Sequence, residues 1–72
     1  MDYTVKGDKM KSITDVRKLL IKYGAIIYIG DRVADLELMQ DELRELYRSN
    51  ILEASDFQSA MIIIRNELSK LM

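Results

Sequence analysis

The chain contains 72 residues, carries a formal net charge of −1, and has neither cysteine nor histidine. This length predicts one small domain, near the lower limit at which a hydrophobic core suffices without disulfides or metals. The two missing residue types exclude disulfides, thiolate nucleophiles, serine–histidine catalysis and the commonest transition-metal ligands, so we expect neither a metal nor a cofactor.

The N-terminal residues 1–10 show neither a helical nor a strand period, and they are predicted to form a mobile arm ahead of a single domain over residues 11–72. We hypothesise that native translation begins at Met10, directly before the first ordered signal. The arm lacks an apolar signal core. The longest apolar run has five residues, whereas a membrane-spanning helix needs about 20. We therefore expect a cytoplasmic protein without a membrane segment.

The first helix is predicted over residues 12–23. Ser12 and Asp15 have the spacing of a capping box, with aspartate in place of the usual glutamate. Gly24 marks the end of this helix, because glycine adopts the left-handed terminal conformation at little cost. The apolar arc comprises Ile13, Val16, Leu20 and Tyr23, with Leu19 at its edge, so Tyr23 is predicted to lie in the core.

A connector at residues 24–31 follows, with five apolar residues, Ala25 to Ile29, between two glycines. A lone strand would leave its backbone unpaired, and the glycine spacing matches no phosphate loop. We expect the connector to fold over one end of the domain as part of the core. At least two of Ile26, Ile27 and Ile29 should then be buried.

Two further helices are predicted over residues 32–49 and 55–71. Asp31 is the expected N-cap of the second helix, Asn50 its end, and Ser55 or Asp56 the N-cap of the third. The second helix carries the apolar stripe Leu36, Met39, Leu43 and Leu46, widened by Val33 and Tyr47; the third carries Phe57, Met61, Ile64, Leu68 and Leu71. Three amphipathic helices with short links predict an all-α three-helix bundle.

The segment YGAIIYIGDRVADLELMQDELRELYRSNILEASDFQSAMIIIRNEL closely resembles the YqgQ-like family of short proteins from Gram-positive bacteria. The similarity rests on the YG…IYxGDR turn, the ADLELM-DELRELY helix and the DFQ-A start of the last helix, and it extends from about Ile13 to Leu68. This resemblance implies a monomeric three-helix bundle that binds single-stranded nucleic acid, and it implies no enzyme activity.

The charge distribution offers a basic surface for such binding. Residues 1–24 contain six basic and three acidic side chains, whereas residues 25–50 contain three basic and six acidic ones. Lys11, Lys18 and Lys22 form a basic stripe on the first helix, with Arg17 nearby and Tyr28 as a ring on which bases could stack. The alternative interpretation is that the two halves attract each other or are simply solvated faces.

A protein-interaction module is the rival hypothesis. Leu38, Ile62 and Ile63 lie off the apolar stripes, and together with the acidic second helix they would offer a partner surface if they are exposed together. The alternative is that Ile62 or Ile63 packs under the connector and that Leu38 is one ordinary exposed leucine. Enzyme activity is not expected. The carboxylates of Asp31, Asp35, Glu42 and Glu45 offer Mg²⁺ ligands, but Asp41, Glu42 and Glu45 fall on the solvated side, where little shifts their pKa.

Overall fold

The structure, a computed structural model, describes residues 10–71. Three helices occupy this range: α1 (Ile13–Lys22), α2 (Arg32–Arg48) and α3 (Ala54–Leu71). The described residues form no strand, and the prediction of an all-α three-helix bundle is confirmed. The predicted helix bounds agree with the observed ones to within one residue at each end. Within residues 10–71, no helix is long and apolar enough to cross a membrane.

The first residue that the structure describes is Met10. The mobile arm predicted for residues 1–10 falls, except for Met10, outside the described residues. Met10 itself is half-buried and packs against the core. The described domain therefore includes this residue.

The core lies between the three helices and contains ten buried side chains. α2 and α3 share the larger interface, and α1 packs across both. All four central stripe residues of α2 are buried, as predicted. The complete core is Val16, Leu20, Leu36, Met39, Leu43, Leu46, Leu52, Ala60, Met61 and Ile64.

The start of α1 shows the reciprocal contact of the predicted capping box. The Asp15 carboxylate accepts hydrogen bonds from the backbone N–H groups of Ser12, at 3.3 Å, and Lys11, at 2.9 Å. Ser12 has the extended backbone typical of an N-cap. This acidic side chain thus fixes the chain where it enters the helix.

α1 and α2 end with the same capping arrangement, built on a left-handed residue. Gly24 has φ +88°, and Asn50 has φ +63°. Each donates its N–H to the carbonyl three residues earlier, and the next residue donates to the carbonyl five residues earlier, as in a Schellman motif. Both predicted helix ends are confirmed.

The N-cap prediction is confirmed for α2 and wrong for α3. The Asp31 carboxylate accepts a hydrogen bond from the backbone N–H of Ala34, at 3.1 Å. α3 begins at Ala54, one residue before the expected caps, and the carbonyl of Glu53 accepts the N–H of Phe57 at 2.9 Å. Ser55 and Asp56 therefore lie inside the first turn of α3, and they are not its N-cap.

The prediction that the connector belongs to the core is wrong. Ile26 is 79% exposed and Ile29 60% exposed, and only Ile27 is half-buried. Leu20 and Met39 are buried beside the connector. The connector backbone instead runs outside these residues, with Ala25 and Ile27 packed against the core and Ile26 and Tyr28 facing solvent.

Three aromatic or terminal side chains are more exposed than the stripes predicted. Tyr23 is 38% exposed, because α1 ends at Lys22 and the helical arc does not extend to its C-cap. Tyr47 is partly exposed but stacks on Phe57, with ring centroids 4.5 Å apart. Leu71, at the end of α3, is also exposed.

Candidate nucleic-acid interface

The three lysines of the basic stripe, Lys11, Lys18 and Lys22, are all exposed. Lys18 and Lys22 are four residues apart on α1, so their side chains are neighbours on one face of the helix. Lys11 precedes the N-cap of the same helix. The sequence prediction of an accessible run of ammonium groups therefore has a geometric basis on α1.

Asp15 lies within this stripe and reduces its positive charge. The pKa of Asp15 lies below its ordinary value of 3.8, chiefly because its carboxylate accepts the hydrogen bond from the Lys11 N–H. The hydrogen bond from Ser12 and the charges of Lys18 and Lys11 lower the pKa further, and desolvation opposes them. The carboxylate is therefore ionised at neutral pH, beside the ammonium groups that would contact phosphates.

Arg17, the predicted fourth basic contact, has a different environment. Its side chain is half-buried, and its Nη1 donates a hydrogen bond to the backbone carbonyl of Ile27, at 3.3 Å. The guanidinium group thus connects α1 to the connector. It has other N–H donors, but one of them is already used within the protein.

Asp35 makes a second hydrogen bond to the connector backbone, which we call a tie, as we do that of Arg17. Sequence reasoning missed this contact of Asp35. This side chain is only 3% exposed, and its Oδ1 accepts a hydrogen bond from the backbone N–H of Ile29, at 2.8 Å. The signal available in the sequence was its spacing of four residues from Met39, which places both on the buried face of α2. The sequence alone identifies Asp35 only as one of four carboxylates that offer Mg²⁺ ligands.

Tyr28 lies between these two ties and is 79% exposed. Beside it lies an open groove of about 130 Å³, which we call the connector groove. Arg17 is the one charged side chain that lines the groove. The remaining lining residues are apolar or aromatic: Leu20, Ile21, Ala25, Ile26, Ile27, Tyr28 and Met39. The connector therefore presents an aromatic ring and an apolar groove next to α1.

Tyr23 adds a second exposed ring close to the basic stripe. The Lys22 Nζ lies 5.7 Å from the centroid of the Tyr23 ring, within the range of a cation–π contact. An ammonium group and an aromatic face are thus adjacent at the end of α1.

The residues of the alternative partner surface separate into different environments. Leu38 on α2 is 42% exposed and Ile62 on α3 is 54% exposed, whereas Ile63 is half-buried against the core. Ile62 lines a shallow depression of about 230 Å³ on α3, together with Phe57, Gln58, Met61 and Arg65. Leu38 does not line this depression.

The acidic side chains of α2 are partly paired on the surface. Asp41 contacts Arg44 at 3.1 Å, and Glu45 contacts Arg48 at 2.9 Å. Among the described residues, no three acidic side chains gather closely enough to hold a metal ion. These carboxylates therefore make local surface ion pairs, which contribute little to stability individually.

The geometry defines a class: a small three-helix bundle that displays a basic helix face next to an exposed apolar connector. The chain belongs to the YqgQ-like family, whose model matches residues 10–70. It is 39% identical over 61 residues to the Bacillus subtilis (strain 168) protein called uncharacterized protein YqgQ, and the match covers 85% of this chain and 86% of that relative. The resemblance stated from the sequence motifs is thereby confirmed.

Proposed function

We propose that the protein is a non-enzymatic, cytoplasmic, monomeric binder of single-stranded nucleic acid. The observation that carries this proposal is Tyr28, an exposed ring on a connector whose backbone is hydrogen-bonded on both sides of it. A base stacked on an aromatic side chain contributes about 1–3 kcal/mol. An exposed tyrosine with a fixed backbone is suited to this contact, because little of its freedom remains to be lost on binding.

The phosphates would contact the basic stripe. Each ammonium group that neutralises one phosphate of a single strand adds about 0.7 to the slope of log affinity against log salt. Three lysines with Asp15 among them support weak and strongly salt-dependent binding. The acidic face of α2 would repel the same ligand, so contacts should be confined to α1 and the connector.

Single strands are favoured over duplexes for a steric reason. The bases of a duplex are already stacked on one another, so Tyr28 could reach a base face only after unstacking it. An unpaired base, in contrast, could lie on the exposed ring and reach the apolar connector groove beside it.

Fluorescence anisotropy with labelled single-stranded and duplex oligonucleotides across a salt series tests the proposal. We expect measurable single-strand binding near about 50 mM salt and weaker duplex binding. The double variant Lys18→Glu with Lys22→Glu should abolish binding while the circular dichroism spectrum and the Tm are retained, because both side chains are exposed.

The matched control is Asp41→Lys on α2, which should leave binding unchanged or strengthen it. An equal loss of oligonucleotide binding in the control and in the α1 double variant would indicate unfolding or non-specific attraction. Wild-type protein that binds neither oligonucleotide at this salt concentration contradicts the proposal.

The depression on α3 favours a second candidate function, that of a protein-interaction module. Ile62 is exposed there beside Met61 and Phe57, and an apolar surface of this kind is typical of partner sites. The net acidity of residues 25–50 favours a basic amphipathic peptide as the probe. Titration of ¹⁵N-labelled protein with such a peptide should shift the Ile62 amide resonance; shifts confined to the acidic side chains of α2 would contradict an α3 site.

A further inference from the structure

We infer that Arg17 and Asp35 are positioning residues for Tyr28, holding its backbone in place so that the exposed ring is presented beside α1. This inference rests on the proposed function for its binding role. It differs from the sequence prediction, which treats Arg17 as part of the nucleic-acid surface and gives Asp35 no role in holding the connector.

The two hydrogen bonds flank Tyr28 directly along the chain. Arg17 donates to the carbonyl of Ile27, the residue before Tyr28, and Asp35 accepts from the N–H of Ile29, the residue after it. The connector has no partner strand among the described residues, so these side chains replace the ladder that would otherwise satisfy its backbone. One tie comes from α1 and the other from α2.

The burial of Asp35 supports a specific role for its carboxylate. Removing a carboxylate from water is unfavourable unless hydrogen bonds compensate for the lost hydration. Asp35 is 3% exposed, and its oxygen meets the Ile29 N–H at 2.8 Å, a distance typical of a charge-assisted bond. An apolar residue would pack at this position without that requirement, so the hydrogen bond to the connector accounts for an acceptor oxygen at this buried position.

A double-mutant cycle separates positioning from general stabilisation. Tyr28→Ala should weaken single-strand binding about 5- to 150-fold, the range expected for loss of one stacked base. Asp35→Ala should weaken binding at least about fivefold in the wild-type background. In the Tyr28→Ala background it should cause no further loss, because the ring to be positioned is absent. Equal losses in both backgrounds would overturn the inference.

The matched variant is Asp35→Asn, which keeps the size of the side chain and an oxygen that accepts from Ile29. It should retain affinity to within about twofold, because the neutral oxygen still makes the hydrogen bond. If Asp35→Asn binds as weakly as Asp35→Ala, the acceptor geometry is not what matters and the inference fails.

The salt dependence distinguishes the two roles of Arg17. Arg17→Leu should lower the affinity but leave the slope of log affinity against log salt unchanged, because a positioning residue neutralises no phosphate. A slope flattened by about 0.7 would instead identify Arg17 as a direct phosphate contact and overturn its positioning role.

Amide hydrogen exchange in the free protein gives a test that needs no nucleic acid. The Ile29 N–H should be protected in the wild type and lose that protection in Asp35→Ala, while amides in the middle of α2 and α3 keep theirs. An unprotected Ile29 amide in the wild type would overturn the inference. If this amide is protected but single strands do not bind, the proposed function fails while the structural tie stands.

Discussion

The two links between helices begin alike and then diverge. The connector and the second link (residues 49–53) both leave a helix through a left-handed residue in a Schellman motif. The second link then inserts Leu52 into the core, where it is 4% exposed. The connector, although richer in apolar side chains, leaves Ile26 and Tyr28 each 79% exposed.

This difference shows that apolar content alone does not determine burial outside a helix. Leu52 joins the buried cluster between the helices, so it becomes core. The connector packs only Ala25 and Ile27 against the core. Its backbone is instead held by Arg17 and Asp35, which makes an exposed apolar segment compatible with a fixed position.

The largest expected effect is on the stability of the second link. Leu52→Ala should lower the free energy of unfolding by about 2–5 kcal/mol, because it removes a buried side chain and leaves a cavity. For a domain of this size that corresponds to a fall in Tm of about 8 °C or more. The measurement is urea and thermal unfolding followed by circular dichroism.

The matched control in the connector is Ile26→Ala. Because Ile26 is 79% exposed, its truncation should change stability by no more than about 0.5 kcal/mol. A loss comparable to that of Leu52→Ala would mean that the connector belongs to the core after all.

An intermediate effect is expected at the left-handed residue that begins each link. Gly24→Ala should destabilise the protein by about 1–2 kcal/mol, because a Cβ is disfavoured at φ +88°. A Cβ at Gly24 would meet no atom within 4 Å, so backbone strain is the only cause. Asn50→Ala should lower the stability less than Gly24→Ala, because Asn50 already has a Cβ at positive φ and carries part of that backbone strain. Chemical unfolding midpoints of both variants provide the comparison, and a larger loss at Asn50 would contradict it.

The helices, and the caps of α1 and α2, were predictable from the sequence because they depend on local geometry. The helical period of 3.6 residues places Leu36, Met39 and Leu43 on one face independently of the rest of the chain. Asp31 and Gly24 form hydrogen bonds with backbone groups only a few residues away. The family resemblance was equally recognisable from local motifs.

The environment of the connector was not predictable in the same way. No helical period applies to it, and the burial of its side chains depends on contacts with residues distant in the sequence, such as Met39. The role of Asp35 was missed because a carboxylate is ordinarily expected in solvent, whereas here a backbone N–H from another segment stabilises it in a buried position. Of the predicted binding residues, the sequence placed Lys18 and Lys22 on one face of α1 but could not show that Arg17 bonds to Ile27.

The smallest expected effect concerns Asp15, at the start of α1, before either link. Its pKa in the folded protein is lowered mainly by the Lys11 N–H, so the ionised carboxylate stabilises the fold. A lowered pKa means that this contribution is present above the unfolded value of 3.8 and is lost as the pH falls through the folded value. Asp15→Asn should therefore lower the Tm slightly at about pH 7, and the difference from the wild type should shrink toward about pH 2. Thermal unfolding at both pH values measures this; a Tm difference independent of pH would show that the side-chain oxygen, and not its charge, stabilises the start of α1.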